Sequence, residues 1–212
     1  MNVKIKICDV KSPVIAKFCK DNGVDYIGLH QIYAHISNEK IELLKAIKKA
    51  SGDMPIVLVT KIDDIDELTN IICIVPFDYV QLHFPCTVDF INSLKQSVWK
   101  KAKREIKVIA VFQADGCDYS SVNSIGKVAD FILFDSLIRG GTGKTISDYD
   151  ISQIVTKCDG LKYFFAGGLN PENVRSKIEK VKPFAVDVQS GVELNKQKDP
   201  ALIRAFIDAV RE

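Results

Sequence analysis

The 212-residue sequence predicts an α/β chain closed into a single (β/α)8 barrel, on three observations. Eight short runs rich in Val, Ile, Phe and Tyr recur along the chain, their starts roughly 22 to 32 residues apart, which is one strand–helix unit each time. Amphipathic stretches with helix-start signals fill the gaps between them. The first run is followed by Cys8-Asp9-Val10-Lys11, not by the glycine-rich turn of an open nucleotide-binding sheet. Eight strands, each with its own helix, is the arrangement that closes a parallel sheet on itself.

The strands are expected at Val3–Cys8, Tyr26–Leu29, Ile56–Thr60, Tyr79–His83, Lys107–Phe112, Phe131–Asp135, Tyr163–Ala166 and Ala185–Val188. Ser12-Pro13 opens the first helix, because proline suits the first helical turn. Ser37 or Asn38 caps the run Ile41, Leu44, Ile47, and Asn170-Pro171-Glu172 caps Val174, Ile178, Val181. Asp199-Pro200 opens the last helix, whose apolar residues from Leu202 to Val210 recur at helical spacing. No Pro/Gly/Ser linker divides the chain, so residues 1–212 are read as one domain.

Charge and cysteine usage narrow the function classes. Basic and acidic side chains nearly cancel, 29 against 27, which leaves no electrostatic footprint for nucleic acid or an anionic membrane. No apolar stretch is long enough to span a bilayer, and the N-terminus lacks a signal-peptide core, so a cytoplasmic protein is expected. Cys8, Cys19, Cys73, Cys86, Cys117 and Cys158 form no Cys-x-x-Cys pair, and His30, His35 and His83 do not cluster with them. Neither a zinc site nor a disulfide framework is expected, and most of these cysteines read as small buried apolar residues.

Chemistry in such barrels sits at the C-terminal ends of the strands. That places Cys8, Asp9, His30, Lys61, His83, Phe84, Gln113, Asp135, Ser136, Gly167, Gly168, Ser190 and Gly191 at the mouth. The turns Gly167-Gly168 and Ser190-Gly191 follow adjacent strands, seven and eight, where these barrels frequently hold a phosphate. Glycine lets the backbone approach a ligand closely, and helix N-termini carry free N–H groups. Gly140-Gly141-Thr142-Gly143-Lys144-Thr145 is not a nucleotide P-loop, because Ile138 stands where that motif needs glycine. It reads as a loop over the mouth. A thiol (Cys8) and a carboxyl group (Asp135) could form a proton-transfer pair. By position alone, Cys8 could equally be a core residue and Asp135 a turn former.

Several segments together resemble the phosphoribosylanthranilate isomerase family. They are Lys6-Ile7-Cys8, Asp25-Tyr26-Ile27-Gly28-Leu29, Val80-Gln81-Leu82-His83 and Phe134-Asp135-Ser136, then residues 140–145, Ala166–Val174 and Val186–Glu193, spread over nearly the whole chain in the family order. The resemblance implies a TIM barrel and a cofactor-free Amadori rearrangement of an aminoaldose phosphate, in tryptophan biosynthesis. It implies Asp135 as general acid, Cys8 as general base, and Gly143, Gly167, Gly168, Ser190 and Gly191 as phosphate-binding, with acid and base facing each other across a bound phosphate ester. It implies a small phosphorylated sugar as substrate, no metal, and a monomer or homodimer.

Three departures cluster on one side of the expected site. Asp9 replaces the family's glycine after the strand-one cysteine, and Phe84 replaces a glycine after strand four. The family's arginine after strand two, which binds the anthranilate carboxylate, has no counterpart in the shorter segment His30–Asn38. Asp9, His30, His83, Phe84 and Arg139 are therefore the candidates for a remodelled substrate pocket, Arg139 standing first as replacement cation and His35 second. Two alternatives remain open at this point: a paralogue isomerising another phosphorylated sugar, and a non-catalytic barrel that binds a phosphorylated metabolite.

Overall fold

The computed structural model describes residues 3–136 and 146–212. Eight parallel strands close into a barrel in sequence order, with β1 bonded to both β2 and β8. The strands are β1 (Lys4–Ile7), β2 (Tyr26–His30), β3 (Ile56–Thr60), β4 (Tyr79–Leu82), β5 (Lys107–Gln113), β6 (Phe131–Asp135), β7 (Tyr163–Phe165) and β8 (Ala185–Val188). The helices are α1 (Pro13–Asp21), α2 (Asn38–Ser51), α3 (Ile65–Ile74), α4 (Val88–Ala102), α5 (Tyr119–Ile125), α6 (Asp148–Lys157), α7 (Val174–Val181) and α8 (Pro200–Arg211). A two-stranded hairpin, β9 (Glu193–Leu194) with β10 (Gln197–Lys198), follows the short 3₁₀ turn Ser190–Val192. Each expected strand is present, its ends moved by at most one residue.

Local chemistry starts the helices. Ser12, Ser37 and Asp199 accept the N–H groups of Ile15, Lys40 and Leu202, and Pro13 and Pro200 occupy the first turns. Helix α7 departs from expectation. Asn170 Oδ1 accepts from the N–H of Glu172 and Asn173, closing a turn, and the helix begins only at Val174 with no side-chain cap. The Asn-Pro-Glu signal thus marks a turn before the helix, because asparagine captures the N–H two residues ahead as readily as a helical one.

The N-terminal rim is tied by a repeated device. Asp25, Asp78 and Asp130 lie just before β2, β4 and β6, and accept the N–H of Ile5, Ile56 and Val108 on the preceding strand, each at 2.9 Å. Lys4, Lys48 and Lys95 neutralise them at 2.8 Å. Above this rim the lumen is plugged by aromatic rings: Tyr26 meets Tyr79 and Phe164 edge-on at 5.5 Å, and Phe131 meets Phe164 at 5.2 Å. The plug leaves the opposite end, where the strands terminate, for polar chemistry. Among the described residues no helix is long and apolar enough to cross a membrane. Cys19 and Cys158 are buried as expected, whereas Cys73, Cys86 and Cys117 are only half-buried, and all are free thiols.

Candidate active site

Strand side chains alternate, so residues two apart share a face. Lys6 and Cys8 therefore both enter the lumen from β1, beside Gly28 on β2. A β-carbon at Gly28 would lie 2.9 Å from Cys8 Sγ and 3.1 Å from Lys6 Nζ, so glycine there makes room for both. Lys6 Nζ is fully buried and sits 2.7 Å from Asp187 Oδ2 on β8. Burial alone would lower the lysine, but the Asp187 carboxylate and then the Cys8 thiol raise it above its ordinary value. Asp187 Oδ1 and Gln81 Oε1, on β8 and β4, are buried acceptors with no partner among the described residues. The Lys6–Asp187 pair was not among the expected site residues. Its signal was the shared parity of Lys6 and Cys8 on one short strand.

Cys8, only 5% exposed, is joined to two of the departures. Its Sγ lies 3.4 Å from His30 Nε2, and His30 Nδ1 lies 3.6 Å from Asp9 Oδ1. Asp9 Oδ2 pairs with Lys11 Nζ at 2.7 Å and accepts from Gln189 Nε2 at 3.5 Å. Burial pushes the Cys8 thiol up to about 11, with the Lys6 ammonium opposing it and the Asp187 carboxylate adding to it. Burial likewise pushes His30 down to about 4, with Asp9 opposing. Both groups are thus uncharged at neutral pH.

Asp135 ends β6 on another side of the mouth. Its Oδ1 accepts the Ser136 N–H at 2.7 Å, and its Oδ2 lies 3.9 Å from His83 Nε2. A cavity of about 310 Å³ opens beside it, lined by His83, Phe84, Val111, Phe112, Gln113 and Asp135. The lining is mostly apolar with a few polar groups, the composition of a site for a flat organic ring. Cys8 does not line this cavity. Cys8 and Asp135 approach the mouth from different strands, with His30 beside the thiol, His83 beside the carboxyl, and His83 near enough to lower His30. The cavity runs outward over β4 and β5 toward α5, and the thiol is turned into the lumen against His30. Of the expected pocket residues, His83 and Phe84 fall with Asp135, and Asp9 and His30 fall with Cys8. Arg139 and Gly143 lie outside the described residues.

The glycine turns interlock the loops after β6, β7 and β8. Gly167 and Gly168 have φ of +88° and +66°, a conformation that favours glycine. A β-carbon at Gly167 would lie 2.6 Å from Ser136 Cβ, and one at Gly191 would clash with the Leu169 carbonyl oxygen. The N–H groups of Gly167 and Gly168 have no backbone partner among the described residues. Lys198, nearly buried, donates to the Gln189 carbonyl at 2.8 Å and to Glu193 Oε1 at 2.6 Å, holding the strand-eight loop against the barrel. Among the described residues, no three His, Cys, Asp or Glu side chains are grouped to hold a metal ion.

The family model described as N-(5'-phosphoribosyl)anthranilate isomerase matches residues 4–209. The N-(5'-phosphoribosyl)anthranilate isomerase of Leptospira interrogans is 35% identical, over 98% of this chain and 94% of that protein. Monomers made from the dimeric enzyme of Thermotoga maritima superpose with a TM-score of 0.74 at 27% identity, covering 99% of this chain and 98% of theirs. A phosphoribosylanthranilate isomerase complexed with reduced 1-(o-carboxyphenylamino)-1-deoxyribulose 5-phosphate superposes at 0.75 and 27% identity, with the same coverage. With a closed eight-stranded barrel and a match along almost its full length, this chain belongs to the N-(5'-phosphoribosyl)anthranilate isomerase family.

Proposed function

We propose that this protein catalyses the Amadori rearrangement of N-(5'-phosphoribosyl)anthranilate to the corresponding aminodeoxyribulose phosphate, a step of tryptophan biosynthesis. The observation that carries the reading is the family match over residues 4–209, with acid, base and glycine turns all at the C-terminal mouth. In this reading Asp135 protonates the furanose ring oxygen and the ring opens to a Schiff base. Cys8 then removes the proton from C2, and the electron pair moves toward the imine nitrogen. The resulting enolamine becomes the ketone when C1 gains a proton and the C2 hydroxyl loses one.

The glycine backbones of the strand-seven and strand-eight loops, with Gly143, hold the phosphate. That contact orients the sugar rather than doing chemistry. The cavity beside Asp135, with Phe84 and Phe112 in its wall, receives the anthranilate ring. Phe84 adds aromatic surface where relatives have glycine, and Arg139 supplies the cation for the carboxylate. The compound bound in a solved relative carries both a carboxyphenylamino group and a 5-phosphate, which supports this substrate over another phosphorylated sugar. A cytoplasmic biosynthetic enzyme, monomeric or homodimeric, fits the charge balance, and the Thermotoga relative is a dimer. Complementation of a tryptophan auxotroph lacking this isomerase tests the reading: growth supports it, and failure of a folded, expressed protein to restore growth overturns it.

A further inference from the structure

Cys8, as the general base, must lose a proton before it can take one from C2, yet it is nearly sealed from water. The group beside its sulfur that can accept a proton is His30 Nε2, at 3.4 Å, whereas the Lys6 ammonium, also hydrogen-bonded to it, can only donate. His30 ends β2 with its side chain 28% exposed, so it connects the buried sulfur to the mouth. Its other nitrogen faces the Asp9 carboxylate at 3.6 Å. Asp9 itself has φ of +59°, in the left-handed region, a conformation that its surroundings must hold. The position keeps the backbone that a glycine would adopt and adds a carboxylate aimed at the imidazole.

We propose that Asp9, His30 and Cys8 form a proton relay in which His30, oriented by Asp9, withdraws the thiol proton and makes Cys8 competent as the base. The inference rests on the isomerase reading and deepens it. The step balances within the pair: the S–H bond breaks, an Nε2–H bond forms, and a neutral thiol and imidazole become thiolate and imidazolium. The thiolate then forms a new S–H bond with the C2 proton. His30 releases its proton through the mouth, and Asp135 regains one from solvent. Asp9 stabilises the imidazolium, and the buried Lys6 ammonium stabilises the thiolate.

Of the surrounding charges, Asp9 favours the imidazolium while Lys6, His83 and Lys11 oppose it, and Lys6 and Lys198 favour the thiolate while Asp187 opposes it. His30 is faced by Asp9 and Lys11 from the segment after β1, by Lys6 from β1 and by His83 from the end of β4. Lys40, at the start of α2, feels the same Asp9 and Lys11 charges. Cys8 is faced by Lys6, by Asp187 from β8 and by Lys198 from β10. Burial disfavours both the thiolate and the imidazolium, so the transfer is uphill in the resting protein, and what His30 supplies is a route for the proton of a thiol sealed from water. The neutral imidazole accepts at Nε2 in the tautomer that carries its proton on Nδ1, the nitrogen facing Asp9. Asp9 is thus tied to the thiol through His30, with its own charge matched by Lys11. His30 is a positioning residue: it acts through Cys8.

Two measurements on the full-length protein decide the matter. The first is nitrogen-15 NMR of the His30 ring without substrate, which reads the tautomer independently of turnover. The expected result is a neutral ring protonated on Nδ1, with a bare Nε2 whose signal moves in Cys8→Ala. A ring protonated on Nε2 cannot accept the thiol proton and overturns the relay, whatever the enzyme does. The second is the pH profile of His30→Gln and Asp9→Gly. His30→Gln should lower kcat at neutral pH by about 10²-fold or more with little change in KM, the deficit closing as pH rises and the thiol ionises unaided. Asp9→Gly, which restores a residue at ease at positive φ and so should fold, is expected to fall between the two. Profiles in both variants parallel to wild type would exclude the relay. Absence of turnover in the wild type would count against the isomerase reading instead.

Discussion

Gly191 packs so closely on Leu169 that a β-carbon at 191 would clash with the Leu169 carbonyl oxygen. The strand-eight loop thus rests directly on the strand-seven backbone, and the two proposed phosphate turns form one rigid unit. Gly191→Ala must push them apart. Overpacking of this kind costs about 1–3 kcal/mol. The expected outcome is a lower Tm together with a higher KM, because the misplaced N–H groups lose the phosphate. Paired thermal-melt and kinetic measurements check both, and a lower Tm with unchanged KM would separate these loops from phosphate binding.

Replacing Lys6 with Met leaves Asp187 buried without its counter-charge. Loss of one partner of a buried ion pair costs about 3–5 kcal/mol. Denaturant titration of Lys6→Met should show a loss of that order, and the double variant Lys6→Met/Asp187→Leu should recover much of it. The raised lysine also sets a pH sign. A group whose folded pKa lies above its unfolded value stabilises fully below the unfolded value of 10.5, and that stabilisation disappears as pH climbs through the folded value. Alkaline unfolding of the wild type should therefore be shifted in Lys6→Met.

Asp130 sits at the opposite end of the barrel from the mouth. Asp130→Ala orphans the Val108 N–H and leaves Lys95 with the Val128 carbonyl alone. An expected loss of about 1–3 kcal/mol follows from the unsatisfied donor, with kcat and KM unchanged. Equilibrium unfolding measured alongside steady-state kinetics checks this separation of rim from mouth.

Arg139→Ala should raise KM for N-(5'-phosphoribosyl)anthranilate by the value of a charge-assisted contact, about 1.5–3 kcal/mol, while leaving kcat less affected. An unchanged KM would remove Arg139 from the carboxylate role.

Much of this fold was legible in sequence because buried parallel strands are continuous apolar runs of fixed spacing. Phe131–Asp135, for instance, carries its polar residue only at the mouth end. The start of α7 was not legible, since Asn170 has equally good partners in a turn and in a helix. The candidate site was read in part. The mouth residues follow from strand ends, but their grouping depends on side-chain direction and barrel closure. Asp9 and His30 are 21 positions apart, and only the positive φ of Asp9 and the end of β2 bring them to Cys8. Likewise nothing in the order of His83, Phe84 and Phe112 told that they would enclose a cavity with Asp135 and not with the thiol.

Steady-state turnover of N-(5'-phosphoribosyl)anthranilate by wild type, Cys8→Ser and Asp135→Asn bears most directly on the proposed acid–base pair. Wild-type isomerisation that drops by about 10²-fold or more in each variant, with folding intact, is the expected result. Retention of near wild-type kcat in Asp135→Asn would show that the carboxyl beside the apolar cavity does not protonate the sugar, and would contradict the assignment of this mouth as the catalytic centre.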